Sequence, residues 1–166
     1  MILVVALPEI GAQLAPWRDE SSAPGFPTHI TILTPFFGES EFDDEAHADL
    51  LDICAGIPSF DVDLVSVVQV PGFTFLALES EHGPRALLAA LRKRWPEFVP
   101  YNGLHGEDPA PHVTVVWPGP VERHERVAAE VEAVLPLSER ATALTLLALR
   151  DDRWNTVAEF PLSGPC

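Results

Sequence analysis

Pro27-Thr28-His29-Ile30-Thr31-Ile32-Leu33-Thr34-Pro35-Phe36 is the stretch on which the reading of this chain turns, because Pro111-His112-Val113-Thr114-Val115-Val116-Trp117-Pro118 restates it half a chain later. The two histidines lie 83 positions apart in a chain of 166 residues, and each has a threonine two places on and a proline six places on. Alternation of polar and apolar residues predicts a half-buried strand in both copies. His29 and Thr31 then share one face against Ile30 and Ile32, and His112 and Thr114 share one against Val113 and Val115. A single His-x-Thr on a strand is common by chance. Two in matching contexts indicate an internal duplication and a paired site.

The flanking segments repeat a common order. Ile2 to Leu7 is a short apolar run closed by Pro8 and predicts a buried strand; Glu9 to Trp17 predicts two helical turns with Ile10, Leu14 and Trp17 on one face; Asp19 to Pro27 reads as a polar, broken loop. Asp43 to Ile57 predicts a helix with acidic residues in its first turn and Ala46, Leu50, Ile53 and Ile57 in a stripe, followed by a strand over Phe60 to Val70. The second half predicts a strand at Phe73 to Leu78, a helix at His82 to Trp95 with Leu87, Leu88 and Leu91 inward, and a long loop at Pro96 to Pro111. After the His112 strand come a helix at Glu122 to Leu135 and strands at Thr142 to Leu149 and Trp154 to Phe160. Each half reads strand, helix, strand, helix, strand. The expectation is one bilobal domain over 1–166, duplicated as approximately 1–72 and 73–166.

Composition narrows the partners. Hydrophobic residues make up 47% of the chain, enough for one compact core. With 25 acidic against 10 basic side chains, the net charge is -15. Such a surface repels the phosphates of duplex nucleic acid and an anionic membrane face. No run approaches the roughly 20 apolar residues that span a bilayer, and no basic segment or cleavage site follows Met1. A soluble, cytoplasmic, monomeric protein is expected. Cys54 and Cys166 have the spacing of neither a disulfide framework nor a zinc or redox motif.

If the duplicated faces pack together, two imidazoles and two hydroxyls converge on a cleft. Attack at phosphorus needs one group to take a proton from the nucleophile and another, on the far side, to give one to the leaving oxygen, with donors on the non-bridging oxygens. Imidazole, with an unperturbed pKa of about 6.5, serves either role. The acidic surroundings, and a bound phosphate, predict imidazoles held protonated and a bell-shaped rate profile with its optimum near neutrality. In the long loop, Tyr101, Asn102, Gly103, His105 and Gly106 are candidates for a flap over substrate. Phe36, Tyr101 and Trp117 are candidate rings for stacking on a base. His47, His82 and His124 are expected to be solvated at helix starts, and Arg92-Lys93-Arg94 to form a solvated helix face. A zinc site from His29, His112 and His105 would have no His-Glu-x-x-His and no cysteine pair behind it, so no metal is expected.

On the two quoted segments, and on the order of elements across nearly the whole chain, the sequence resembles the two-histidine phosphoesterase superfamily, whose bacterial branch is described as 2′-5′ RNA ligase-like. The resemblance implies an α+β, bilobal fold with antiparallel sheets lining a central cleft and helices outside. It implies a metal-independent reaction, without cofactor, on 2′,3′-cyclic phosphates or 2′,5′-linked nucleotides, by hydrolysis or reversible ligation. His29 and His112 would be acid and base, in either assignment, and Thr31 and Thr114 the phosphate donors. Basic residues are scarce around the motifs, which favours a small nucleotide or a short RNA end as partner. The alternatives are a module that binds nucleotide phosphate without turnover, and a scaffold with a vestigial site. Retention of both histidines and both threonines favours the enzyme, since binding alone does not require two titrating groups.

Overall fold

Short β-branched and leucine-rich runs form strands here, and longer stretches with apolar residues three and four apart form helices. The computed structural model describes residues 1–18 and 24–164, so Cys166 and part of the loop expected at 19–27 lie outside the described residues. The elements in order are β1 (Ile2–Ala6), α1 (Pro8–Leu14), β2 (His29–Leu33), α2 (Asp44–Ala55), β3 (Phe60–Val70), β4 (Phe73–Leu78), α3 (His82–Arg94), β5 (His112–Val116), α4 (Val121–Glu132), β6 (Leu137–Ala141), β7 (Ala143–Arg150) and β8 (Arg153–Pro161). A 3-10 turn, Pro100–Gly103, sits in the long loop.

The strands form two antiparallel four-stranded sheets, β2-β1-β7-β8 and β5-β4-β3-β6. Strand pairing crosses the approximate division expected at 72/73. β3 belongs to the second sheet and β7 with β8 to the first, so each side of residue 72 contributes strands to the other side's sheet. The reason is local. Pro71 and Gly72, the latter at φ +80°, turn β3 directly into β4, and the resulting hairpin straddles the supposed boundary. β7 then pairs with the edge of β1 that β3 leaves open. Helix packing crosses as well: α3 lies on β2 and α1 against β6.

β6 escaped the periodicity reading because Leu137-Ser138-Glu139-Arg140-Ala141 is mostly polar. It is an edge strand, where charge is tolerated, and its side chains are used. Ser138 donates to Asp63 at 2.5 Å, Arg140 to Asp61 at 2.7 Å, and Glu139 accepts the amide of Ile10 at 2.8 Å. The preceding helix stops at Glu132 rather than running to Leu135.

A single apolar cluster unites both sheets, with Leu3, Ile30, Leu33, Leu144 and Phe160 from one and Leu64, Leu76 and Val113 from the other. In α2 the Asp43 carboxylate caps the amide of Ala46 at 2.9 Å, and the buried stripe is Ala46, Leu50 and Cys54 rather than Ile53. Burial pushes the Cys54 thiol up to about 12, which makes it a core residue rather than a nucleophile. Among the described residues no helix is long and apolar enough to cross a membrane.

Helix and sheet approach tightly at Gly83 in α3, where an added Cβ would stand 2.3 Å from the Phe60 ring. Gly83→Ala should therefore cost on the order of 1–3 kcal/mol through overpacking. Urea unfolding should show a lower midpoint with unchanged slope.

Candidate active site

β2 and β5 are edge strands of their respective sheets and lie beside each other without sharing a ladder. The two His-x-Thr segments are therefore brought together where the sheets meet. Cross-strand register gives both the same setting: Ala6 stands opposite His29 and Ala77 opposite His112, so a small neighbour leaves room for each imidazole. Thr31 pairs across with Val4, and Thr114 with Phe75. Each strand ends in a cis X-Pro bond, at Pro35 and Pro118.

Both imidazoles are held by the same device. His29 Nδ1 lies 2.9 Å from the carbonyl of Pro27, and His112 Nδ1 lies 2.9 Å from the carbonyl of Ala110. A carbonyl only accepts, so Nδ1 carries hydrogen in both rings and Nε2 is the atom free to exchange a proton. His29 Nε2 is 3.2 Å from Thr31 Oγ1.

The electrostatics break this symmetry. Burial lowers the His29 pKa from 6.5 to about 4, the Pro27 carbonyl pulls upward, and the charges of Arg18 and His112 push it down further. His29 is thus neutral at working pH, which corrects, for this ring, the expectation that acidic surroundings keep it protonated. Surface carboxylates act through screened water, whereas the charges nearest His29 are cationic.

Arg18 went unremarked in the sequence, where an isolated arginine after α1 carries no pattern. Its guanidinium donates to Thr28 Oγ1 at 2.7 Å and to the carbonyls of Phe26 and Pro27 at 3.3 and 3.4 Å. It therefore braces the carbonyl that orients His29. Gly11 makes this fit possible, because a Cβ there would come within 2.9 Å of Thr28 Oγ1.

The long loop of the second half reaches across to the first. Tyr101 donates its amide to the Thr34 carbonyl at 2.5 Å, and its hydroxyl hydrogen-bonds with the Thr31 side chain; burial raises the phenol pKa. Tyr101 and Asn102 both adopt φ +51°, an uncommon left-handed conformation for residues other than glycine. His105 meets the Tyr101 ring edge-on at 5.2 Å and is exposed, as are Asn102, Gly103 and Gly106. Tyr101 thus stands at the site through Thr31, with His105 behind it.

Other expectations need correction. Phe36 is only 4% exposed and packs against Phe37, Trp95 and Phe98 at 4.8–5.3 Å, so its faces are spent in the core. Trp117 is 57% exposed and stacked on Phe73, but it lies five residues beyond His112, about 16 Å along an extended strand. His124 is buried at 6% exposure, with Nδ1 2.7 Å from Thr74 Oγ1, and His47 is half-buried with its ring 5.2 Å from Phe160. The Arg92–Arg94 face is engaged in ion pairs, Arg92 with Glu107 and Arg94 with Glu45 and Asp49. Among the described residues, no three His, Cys, Asp or Glu side chains group as metal ligands.

Two His-x-Thr segments on neighbouring edge strands are the arrangement that the resemblance to the two-histidine phosphoesterases implies, and comparison with known families agrees. Residues 7–153 match the family model described as the 2′-5′ RNA ligase superfamily, and the chain belongs to that family. Solved structures share the fold. The protein TT0787 of Thermus thermophilus superposes with a TM-score of 0.63 at 18% identity, covering 98% of this chain and 97% of that one. E. coli LigT complexed with NADP+ gives 0.60 at 20% identity over 98% and 96%, and LigT complexed with 3′-AMP gives 0.58 at 18% over 97% and 95%. No curated protein matches the sequence significantly.

The depressed His29 pKa has a stability consequence. Between pH 6.5 and 4 the unfolded chain takes up a proton at His29 that the folded chain excludes, so this contribution is whole above pH 6.5 and lost as pH falls through about 4. Wild type should lose on the order of 2–3 kcal/mol more than His29→Gln across that window, measured by urea unfolding at pH 7 and pH 4. NMR titration should place the His29 midpoint near 4, and Arg18→Ala, which removes an opposing charge but opens the site to water, should move it upward.

Proposed function

We propose that this protein is a metal-independent phosphodiesterase acting on 2′,3′-cyclic phosphates or 2′,5′-linked nucleotides, with reversible 2′-5′ RNA ligation as a further activity of the same site. The observation that supports the reading is the matched clamp on His29 and His112, which holds Nδ1 of each ring on a backbone carbonyl and leaves Nε2 of each for proton exchange, on strands that lie beside each other. Neutral His29 suits the base. It takes a proton from water at Nε2 as the water oxygen bonds to phosphorus; the bond from phosphorus to the ribose oxygen breaks, and His112 on the far side gives that oxygen a proton through its own Nε2. Thr31 and Thr114 donate to the non-bridging oxygens as charge builds on them. A 5′-hydroxyl taking the place of water gives ligation with the same roles, and the roles reverse when the neighbouring ribose hydroxyl attacks phosphorus and the 5′-oxygen leaves. The nucleotide complexes formed by LigT support a small nucleotide as ligand, and the net charge of -15 opposes a long polyanion.

The test is turnover of 2′,3′-cyclic nucleotides and a 2′,5′-linked dinucleotide in EDTA. Wild type should be active, and His29→Ala and His112→Ala should each lose roughly 10²–10⁴-fold in kcat while remaining folded. Near-normal turnover by either variant would overturn the assignment.

The pH profile is a second check. The acidic limb of kcat/KM should sit near pH 4, where free His29 titrates, rather than near 6.5. A bound anionic phosphate favours the imidazolium, so the acidic limb of kcat should lie higher than that of kcat/KM. Coincident limbs near 6.5 would remove His29 from the base role.

A further inference from the structure

The rings beside the two histidines are unequal. On the His112 side Phe75 approaches the imidazole to 4.8 Å. On the His29 side Phe26 lies 4.2 Å from the imidazole and is itself stacked on Trp154, at 4.7 Å with an interplanar angle of 23°. These rings rest on a small apolar cluster of Ile2, Val4 and Leu147, separate from the main core. The register settles which face this is. Val4 is the cross-strand partner of Thr31, and side chains opposite one another share a face, so the cluster extends the cleft face that carries His29 and Thr31.

The pair is held in place before any ligand arrives. The Trp154 amide donates to the Pro24 carbonyl at 2.8 Å. Gly25, at φ +85°, passes so close to Trp154 that an added Cβ would stand 2.4 Å from its carbonyl oxygen. That contact permits only glycine and brings Phe26 flat against the indole. Trp154 is half-buried, and its indole N–H has no hydrogen-bond partner among the described residues. Leu149, its cross-strand partner, is 51% exposed, so the apolar surface continues outward.

The geometry points to Trp154, backed by Phe26, as the platform on which the substrate's nucleobase stacks. The inference rests on the phosphodiesterase reading above and adds a direction to it: the nucleoside lies on the His29 side, with its phosphate between the imidazoles. An aromatic face accepts any base, and the free indole N–H offers one donor to a base acceptor. Phe36 and Trp117, the rings with the more conspicuous sequence positions, are respectively buried in the core and remote from the histidines.

The experiment compares adenosine 2′,3′-cyclic phosphate with the cyclic phosphate of methyl riboside, which has the same reacting atoms and no base. Wild type should prefer the nucleotide in kcat/KM by roughly 5- to 100-fold, the span of one base–aromatic stack. Trp154→Ala and Trp154→Leu, the latter keeping apolar contact with Val4 and Leu147, should bring the ratio close to one while retaining turnover of the riboside. Trp117→Ala should leave the ratio unchanged. A full preference in both Trp154 variants, or none in wild type, overturns the platform and leaves the proposed chemistry standing. Calorimetric titration with the same two compounds reads the preference without turnover, so failure of wild type both to cleave and to bind either one overturns the chemistry and the platform together.

Discussion

The site depends on an exchange of strands between the two halves of the chain. β3 leaves the half in which it is encoded to pair with β4, and β7 returns to pair with β1. Each sheet is therefore completed by the other half, and neither motif strand can shift relative to its counterpart without breaking a ladder. The exchange leaves β2 and β5 as the outer strands at the seam. An interior strand has ladder partners on both sides, whereas two edge strands can lie beside each other where the sheets meet. The single core running through both sheets fixes the distance across that cleft by close packing.

Within this frame, repetition supplies the geometry and local differences supply the chemistry. Both imidazoles are turned by a carbonyl two residues upstream, so both present Nε2. Two identical groups would be poorly matched to giving and taking a proton in one step. His29 is set apart by what packs around it: burial strips its ring of water, Phe26 lies against it, and Arg18, bracing the Thr28 segment, brings positive charge near it. The bracing arginine thus acts twice, through the carbonyl it holds and through its charge.

Much of this was legible in the residues. The paired His-x-Thr segments, their strand character and the order of elements all follow from alternation and spacing, because a strand with one buried face must alternate. Strand partnership was not legible, since the same βαβαβ order fits a third strand staying in its sheet or leaving it, and the Pro71-Gly72 turn decides between them. β6 was missed because its contacts are polar. His124 reads as a surface residue by position in α4, yet the helix turns it onto Thr74. Aromatic residues next to the motifs drew the eye to Phe36 and Trp117, but proximity in sequence along an extended strand carries a side chain away at about 3.3 Å per residue. Phe26 and Trp154, far apart in the chain, meet through the β7–β8 hairpin.

Thr31 stands between His29 Nε2 and the Tyr101 hydroxyl, one from its own strand and one from the loop of the other half. A hydroxyl has a single hydrogen to give, so in the proposed reaction a phosphate oxygen would have to compete for it. The binding strength available at Thr31 is then a difference between two satisfied arrangements and not the whole worth of a hydrogen bond. Release of product carries the matching advantage, since the partners it displaced remain within reach to take its place, and its departure leaves no orphaned hydroxyl at this position to hold it back.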